Sequence, residues 1–257
     1  MSGISGVTGA TSYTDYGKVA SGKALQTAAD GAAELSIATK QETVASGLKV
    51  GQDNMAAGRD LLNISDGALG SITDHLQRMR ELALQASNTA TMTASDRDKL
   101  SAEVDQLKQG IADIADQTQY NTKNLLDGTT GELMIATDDQ GHGEGITTGN
   151  ATLAALGIED FDLKDNLDID AIDKALEKVT TMRSKGGAQT NGLEYGMNYN
   201  GYTEYNMTAS VSRIKDLDMG KGVSELKKKM TLETYAMMMQ KKKQEDEAAA
   251  KSRLFGA

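Results

Sequence analysis

Residues that usually carry catalysis are sparse in this chain. It contains two histidines, His75 and His142, and no cysteine. A zinc site of the His-Glu-x-x-His type needs two histidines four residues apart on one helix, and a thiol nucleophile needs a cysteine. Both chemistries are therefore excluded, and we expect His75 to lie on a solvated helix face.

Two short motifs come close to ligand-binding loops without completing them. The segment from Gly17 to Ala24 has the glycines and the lysine of a phosphate-binding loop, but Ala24 stands where the magnesium-ligating Ser or Thr is required. Four aspartates between Asp165 and Asp173 are spaced as in a calcium loop that lacks its glycine and its final glutamate. We expect these aspartates to cap the next helix. The sequence therefore predicts no enzyme activity, no cofactor and no metal site.

The charge of the chain argues against two classes of partner. Its formal net charge is -10 and its pI is about 4.8, so it repels phosphate backbones and anionic lipid surfaces. Met1 to Tyr16 lacks the basic and apolar regions of a cleavable secretory signal, and no apolar run is long enough to span a bilayer. We therefore expect neither nucleic acid nor a membrane as a partner.

The elements that would position a site are long helices. The 257 residues include no proline, so nothing in the composition interrupts a helix. In two segments apolar residues recur mostly at alternating steps of three and four, the spacing of a helix packed along a partner. These residues are Leu62, Leu69, Ile72, Leu76, Met79, Ala83 and Ala86 in the first segment, and Leu100, Val104, Leu107, Ile111, Ile114 and Thr118 in the second. The pattern predicts an antiparallel helical hairpin, with Ser95 as the N-cap of its second helix.

Weaker patterns extend this architecture on both sides. The stretch from Ala24 to Leu62 favours a helix, weakened by glycines at positions 31, 47, 51 and 58. Glu132 to Thr137 predicts a short strand, and the Gly- and Asp-rich residues 138–149 predict a loop. The helical pattern returns at Asp170 and continues toward the C-terminus.

Polar residues within these helices carry a family resemblance that heptad spacing alone would not produce. Ser65 to Leu69, Leu76 to Asn88 and Gln117 to Asn121 resemble the N-terminal signature of the bacterial flagellins. Asp173 to Leu176, Met182 to Ser184 and Ser212 to Met219 resemble the C-terminal signature of the same family. The resemblance therefore covers both ends of the helical region.

Together with the heptads, the resemblance implies a mainly α fold, an elongated antiparallel helical bundle or coiled-coil rod with a small β-hairpin region at the tip. It implies a polar segment 1–23 that is disordered in the monomer, rod halves 24–127 and 169–222, a small β and loop region 128–168, and a C-terminal assembly helix 223–257 with a charged end. The implied function is a structural subunit of the bacterial flagellar filament, secreted and self-assembling after export, for motility. The polar N-terminus and the charged run from Lys241 to Glu247 leave an alternative open. That alternative is a secreted flagellin-like or hook-filament junction protein that does not form the main filament.

The resemblance also implies partners and the residues that meet them. The chain would form a homo-oligomer, the filament, would bind a flagellar export chaperone through its C-terminal segment, and would be recognised by the animal innate immune flagellin receptor. The implied subunit and receptor interaction patch comprises Gln77, Arg78, Arg80, Glu81, Leu82, Gln85 and Glu103, and the implied assembly helix presents Val223, Leu226, Met230 and Met237. A further stripe is formed by Tyr195, Tyr199, Tyr202 and Tyr205, which we expect to pack within the chain or to contact a protofilament.

Overall fold

The computed structural model describes residues 15–88, 92–164 and 167–255. Its elements are, in order, α1 (Ala32–Ala86), α2 (Ala94–Gln117), β1 (Gln119–Tyr120), β2 (Lys123–Asn124), β3 (Glu132–Ala136), β4 (Gly143–Thr147), α3 (Leu153–Leu156), α4 (Ile169–Lys215) and α5 (Met219–Phe255). A further helical segment spans residues 15–21. The predicted mainly α fold with a small β region is confirmed. The expectations for residues 1–14 and for Asp165 lie outside the described residues.

The chain divides into two compact units. One comprises Ala45–Glu204, and the other comprises Met1–Val44 together with Tyr205–Ala257. Helices α1 and α4 each contribute to both units because their bounds cross these divisions. Among the described helices, none combines the length and the apolar character needed to cross a membrane.

In the unit 45–204, helices α2 and α4 both run antiparallel to α1. Arg78 on α1 pairs with Glu103 on α2 at 2.8 Å, while His75, one turn earlier on α1, lies against Gly110, further along α2. On the other side of α1, Arg80 pairs with Asp173 and Asp66 pairs with Arg183 of α4, at 2.7 and 2.8 Å. Residues later on α1 therefore contact earlier residues on both α2 and α4, which is the antiparallel arrangement of the predicted hairpin.

The predicted apolar seam of α1 is confirmed residue by residue. All seven of its members are no more than 3% exposed: Leu62, Leu69, Ile72, Leu76, Met79, Ala83 and Ala86. In α2 the fully buried positions are Ser101, Val104, Ile111 and Ala115, while the predicted Leu100, Leu107 and Ile114 are partly buried against the same core. The buried face of α2 is therefore centred slightly to one side of the predicted one.

The N-cap of α2 was predicted at the wrong residue. Thr93, two residues before Ser95, is the N-cap: its side chain accepts a hydrogen bond from the Asp96 amide, and the Asp96 carboxylate accepts one from the Thr93 amide. This reciprocal pair is a capping box with aspartate in the third helical position. The Asp96 carboxylate accepts hydrogen bonds from the Thr93 and Lys99 side chains, and these bonds hold its pKa below the usual range.

Strands β3 and β4 form an antiparallel hairpin that pairs Glu132 with Thr147 and Ala136 with Gly143. The strand at 132–136 was predicted, but β4 lies where a loop was expected. Glycine is depleted in strands because it adds backbone entropy and no packing side chain. In β4, however, the pairing with β3 requires a glycine, since a Cβ at Gly143 would stand 2.5 Å from the Ile135 carbonyl oxygen.

The hairpin lies against α1 at the glycines that the sequence marks as weak points. A Cβ on Gly51 would collide with the Thr137 carbonyl oxygen, and one on Gly58 would collide with the Ile135 side chain. Two amides fix the same end of β3: Asn54 donates to the Ala136 carbonyl at 3.1 Å, and the buried Asn200 of α4 donates to the Thr137 carbonyl at 2.6 Å. These glycines therefore weaken α1 as an isolated helix but allow the close approach of the hairpin.

Two lysines hold the segment that follows β4. Lys178 of α4 donates to the Ala155 and Leu156 carbonyls at the end of α3, at 2.7 and 3.1 Å. Lys108 of α2 donates to the Glu159 and Phe161 carbonyls at 2.6 and 3.1 Å. Carbonyls at a helix end lack partners within the helix, so a lysine there satisfies them and complements the helix dipole.

The second unit joins the N-terminal segment to the turn between α4 and α5. The Ala24 amide donates to the Lys215 carbonyl at 2.7 Å, and the Leu217 amide donates to the Gly22 carbonyl at 2.8 Å. Lys215 also pairs with Glu42 of α1 at 2.8 Å. α1 begins at Ala32 rather than near Ala24, because residues 22–31 form this bridge and a turn stabilised by the Asp30 carboxylate.

Candidate interaction surfaces

The predicted interaction patch has an exposed ionic centre on α1 and α2. The Arg78 guanidinium donates to Glu103 at 2.8 Å and to Glu81 at 3.1 Å, and these hydrogen bonds raise the pKa of Arg78. Glu81, Gln77 and Gln85 follow one another at steps of four on α1, and all three are exposed. This part of the patch is a polar surface whose one arginine is already paired with two carboxylates.

Two predicted members of the patch lie elsewhere. Leu82 is 1% exposed and belongs to the hydrophobic core, so its place on an exposed patch is wrong. Helix α1 packs against both α2 and α4, and this wider contact buries Leu82 beside the predicted seam. Arg80 faces α4, where Asp173 accepts its hydrogen bond at 2.7 Å and raises the pKa of the guanidinium. Arg80 therefore joins two helices of the same chain.

The predicted assembly helix, α5, is divided between packed and exposed residues. Val223 is half-buried and Leu226 is 8% exposed, next to a cavity of about 190 Å³ lined by Val19, Ala24 and Leu217 among others. By contrast, Met230 and Met237 are 49% and 62% exposed. Further along α5 the exposed large apolar residues are Leu232, Tyr235, Met238 and Met239. The first two turns of α5 are thus packed, whereas the following four turns present apolar side chains to solvent.

The tyrosine stripe of α4 is exposed and does not pack against the parts of the chain that the structure describes. Its four members are between 68% and 77% exposed: Tyr195, Tyr199, Tyr202 and Tyr205. The opposite side of the helix is buried through Leu193 and Asn200, and Gly196 lies against Met55 of α1. Of the two expectations for this stripe, packing inside the chain is therefore wrong.

An apolar groove lies between α1 and the β hairpin, and sequence reasoning did not find it. Its volume is about 350 Å³, and its apolar lining comes from Gly58 and Leu61 of α1, Leu133 and Ile135 of β3, and Ile146 of β4. Polar rim residues are Asn54, Asn121 and Lys123, and Met134 at the edge is 67% exposed. The groove depends on the seating of the hairpin on α1, a long-range contact that no local pattern reveals.

The tight turn beside this groove is strained. β1 and β2 pair Tyr120 with Lys123, so Asn121 and Thr122 form a two-residue hairpin loop, and their φ angles are 47° and 65°. A turn with positive φ at both central residues strongly prefers Asn-Gly. Asn121 suits this geometry, whereas Thr122 has a β-branched side chain in a region that such residues avoid.

The candidate ligand-binding motifs have other local roles in the structure. Gly17 to Ser21 lies in the helical segment 15–21, and Asp168 caps α4 by accepting a hydrogen bond from the Ala171 amide at 3.3 Å. The predicted capping role is confirmed for Asp168. His142 contacts Asp138 at 2.7 Å in the loop between β3 and β4. Within the part of the chain that the structure describes, no group of three or more His, Cys, Asp or Glu side chains is placed to hold a metal ion.

Comparison with family models identifies the class of protein that this fold represents. The bacterial flagellin N-terminal helical region matches residues 11–130, and the bacterial flagellin C-terminal helical region matches residues 169–247. The two matches include α1, α2 and α4 in full and most of the length of α5. The chain therefore belongs to the bacterial flagellin family.

Individual relatives agree with this assignment along most of the chain. The flagellin of Bacillus subtilis (strain 168) is 33% identical over 253 residues, covering 84% of this chain and 83% of that protein. The flagellin of Halalkalibacterium halodurans is 37% identical over 221 residues, covering 82% and 80%. Flagellin FlaB1 of Treponema pallidum is 31% identical over 238 residues, covering 84% and 82%. The protein is accordingly a structural subunit of the bacterial flagellar filament, an extracellular appendage.

Solved structures show the same helical arrangement. The crystal structure of Bacillus cereus flagellin superposes with a TM-score of 0.52 at 34% identity, covering 58% of this chain and 88% of that one. A putative flagellar hook-associated protein from Vibrio parahaemolyticus reaches a TM-score of 0.62 at 14% identity, covering 73% of this chain and all of that one. At that identity the second likeness concerns the fold alone. The hook-filament junction alternative is not favoured, because the named relatives are flagellins.

Proposed function

We propose that this flagellin is secreted and joins the filament through the exposed apolar side chains of α5, from Met230 onward. One observation carries the proposal: α5 is packed through Leu226 and then exposes six large apolar side chains. These are Met230, Leu232, Tyr235, Met237, Met238 and Met239, all between 49% and 68% exposed. Exposed apolar clusters of this size commonly mark interaction sites.

The chemistry of this segment suits contact with other helices. Full burial of one such side chain contributes about 1.5–3 kcal/mol, so several together can offset the entropy lost on association. Methionine is unbranched and polarizable, which allows these side chains to fit neighbours of slightly different geometry. Beyond Met239, Lys241 and Glu245 form a spaced i,i+4 pair at 4.0 Å and keep the end of the helix polar.

The same apolar segment is a natural site for the flagellar export chaperone. Before assembly it has no cover among the described residues of the chain, and exposed apolar helices promote aggregation. A chaperone that covers Met230 to Met239 would prevent premature association and would be displaced when a neighbouring subunit binds. The two occupants would therefore compete for one surface.

We extend the proposal to the exposed part of the interaction patch. Gln77, Arg78, Glu81 and Gln85 with Glu103 form a continuous polar surface on α1 and α2, which fits either a neighbouring subunit or the innate immune receptor. Arg78→Ala should weaken activation of receptor-bearing cells by monomer. Arg59→Ala is the matched control, an arginine of α1 outside the patch. Equal activation by wild type and both variants would remove the receptor from the proposal.

Assembly is tested with a charge-matched pair of α5 variants and one truncation. Met237→Glu should abolish seeded fibre formation seen by electron microscopy, while Gln240→Glu, which adds the same charge on a neighbouring polar position, should leave fibres intact. A chain that ends at Lys229 keeps Leu226 and should retain the melting temperature of the helical core but form no fibres. Fibres from the truncated chain, or from Met237→Glu at the wild-type rate, would contradict the role of this segment.

A further inference from the structure

We propose that a tyrosine row, Tyr195, Tyr199 and Tyr202 of α4, docks into the groove between α1 and the β hairpin of a neighbouring copy of this chain. The contact is distinct from the proposed role of α5, since both of its surfaces lie within the unit 45–204. It rests on the membership of a filament-forming family and adds a lateral, side-by-side contact between subunits.

The row has the area and composition of one side of a protein interface. Residues three and four apart on a helix have Cβ atoms about 5–6 Å apart, so the three rings form a continuous strip. Each is at least 68% exposed. A tyrosine buries about 150–250 Å² in a contact, so three supply roughly 450–750 Å², most of the ~800 Å² that each partner gives to a standard interface. Tyrosine is also enriched at interfaces, because its ring is rigid and its hydroxyl can find a hydrogen-bond partner.

Charge indicates that the partner is a second copy. Each chain carries a net charge of -10, so two copies repel one another except where charge is sparse. Between Lys185 and Arg213 the sequence has no lysine or arginine, and its only acidic residues are Glu194 and Glu204. Charge depletion around an aromatic centre is the pattern of an interface core. A basic partner would instead select one of the acidic surfaces of the chain.

The groove offers what the rings need. Leu61 and Ile146 among its lining residues are 6% and 1% exposed, so its apolar lining belongs to the packed core, and Met134 at the edge is 67% exposed. Asn54, Asn121 and Lys123 at the rim provide donors and acceptors for phenol hydroxyls. An aromatic anchor in an apolar pocket with a polar rim is the arrangement found at interface hot spots.

The proposed contact is heterologous, since row and groove are different surfaces of the same chain. A heterologous contact that does not close into a ring continues indefinitely and produces a helical assembly. A contact of the row with itself would instead be isologous and would stop at a dimer. The row-to-groove arrangement is therefore the one that is compatible with a filament.

The absence of cysteine from the chain makes a direct cross-linking test possible. Full-length Tyr199→Cys and Met134→Cys proteins are mixed, polymerised from wild-type seeds and treated with a short bis-maleimide. We expect covalent dimers that contain one chain of each kind, identified by mass spectrometry, and far fewer when either variant is used alone. Dimers of Tyr199→Cys with itself as the main product would overturn docking into the groove. Fibres without any cross-link between the two positions would overturn the proposal as a whole.

A substitution test uses the same fibres. The triple variant Tyr195→Ser, Tyr199→Ser, Tyr202→Ser should raise the critical concentration for polymerisation about tenfold or more, because each truncated anchor weakens the contact. Ile64→Ser removes another exposed apolar side chain of the same unit, outside the interaction patch, and should leave that concentration unchanged. An unchanged critical concentration in a folded triple variant would refute the row as an interface. The proposed role of α5 is tested separately. Normal polymerisation of Met237→Glu would contradict that role but would leave the cross-links between row and groove in place.

Discussion

Replacing Thr122 with glycine should stabilise the protein. Thr122 is exposed and has a φ of 65° in the turn between β1 and β2. A residue with a side chain in this left-handed region costs roughly 1–2 kcal/mol, which glycine avoids. Glycine also increases the entropy of the unfolded chain, which reduces the gain by about 0.4–1 kcal/mol. The expected net stabilisation is roughly 1 kcal/mol, or about 2–4 °C in melting temperature for a unit of this size.

Differential scanning calorimetry of three variants separates the strain from other effects. Thr122→Gly should melt above wild type, whereas Thr122→Ala keeps a Cβ and should stay close to it. Lys123→Gly, at the neighbouring strand residue, should melt lower, since a glycine inside a strand costs roughly 0.5–1 kcal/mol. A melting temperature for Thr122→Gly at or below that of wild type would refute the assignment of strain to this residue.

Three further predictions concern the unit 45–204. Leu76→Asp should unfold the unit 45–204, with a loss above about 4 kcal/mol, because Leu76 is 0% exposed and a buried unpaired carboxylate has no partner there; helical circular dichroism would report it. Alanine double-mutant cycles on Arg80 and Asp173 should give only a small favourable coupling, since both side chains are over 40% exposed, and the coupling should shrink in high salt. The Ser101 hydroxyl donates to Asp162 and holds the pKa of this carboxyl below its usual range. The carboxylate therefore stabilises the fold above about pH 4, and this contribution is lost as the pH falls through the lowered pKa. In the variant Asp162→Asn the melting temperature should fall less steeply between pH 4 and lower pH than it does in the wild type.

The α1 seam could be predicted because one strong periodic signal determines it. Leu62 to Ala86 repeat at heptad spacing, and every predicted seam member is buried. Leu82 could not be placed in the same way. A heptad seam describes contact with one partner, whereas α1 packs against two helices and buries a wider face. The number of neighbours around a helix is a property of the tertiary structure.

The N-cap of α2 could not be assigned from the sequence because two registers fit the same capping pattern. Ser95 and Thr93 are both acceptable N-cap residues, and each is followed three positions later by an acidic side chain. Asp96 has that position relative to Thr93, and Asp98 has it relative to Ser95, so both registers satisfy the rule. Only the backbone path into the helix, fixed by packing of α2 on α1, selects Thr93.

The location of β4 and of the groove depended on contacts that are remote in sequence. Gly143 and Gly145 make residues 143–147 a poor strand by propensity. Pairing with β3 and the seating of that strand on α1 through Gly51, Asn54 and Asn200 override the propensity. The sequence thus indicated where the chain leaves the helical pattern but not what the intervening residues build.

The two ion pairs between α1 and α4 make sliding of these helices directional. Arg80 on α1 pairs with Asp173, and Arg183 on α4 pairs with Asp66, so displacement by one heptad in either direction breaks both pairs. In one direction Arg183 moves from Asp66 to the level of Arg59, seven residues earlier on the same side of α1, and two cations then face each other. In the other direction it reaches the level of Thr73, which carries no charge. Arg59 is partly neutralised by Asp60 at 3.4 Å, so the repulsion is small, but it makes the first displacement less favourable than the second.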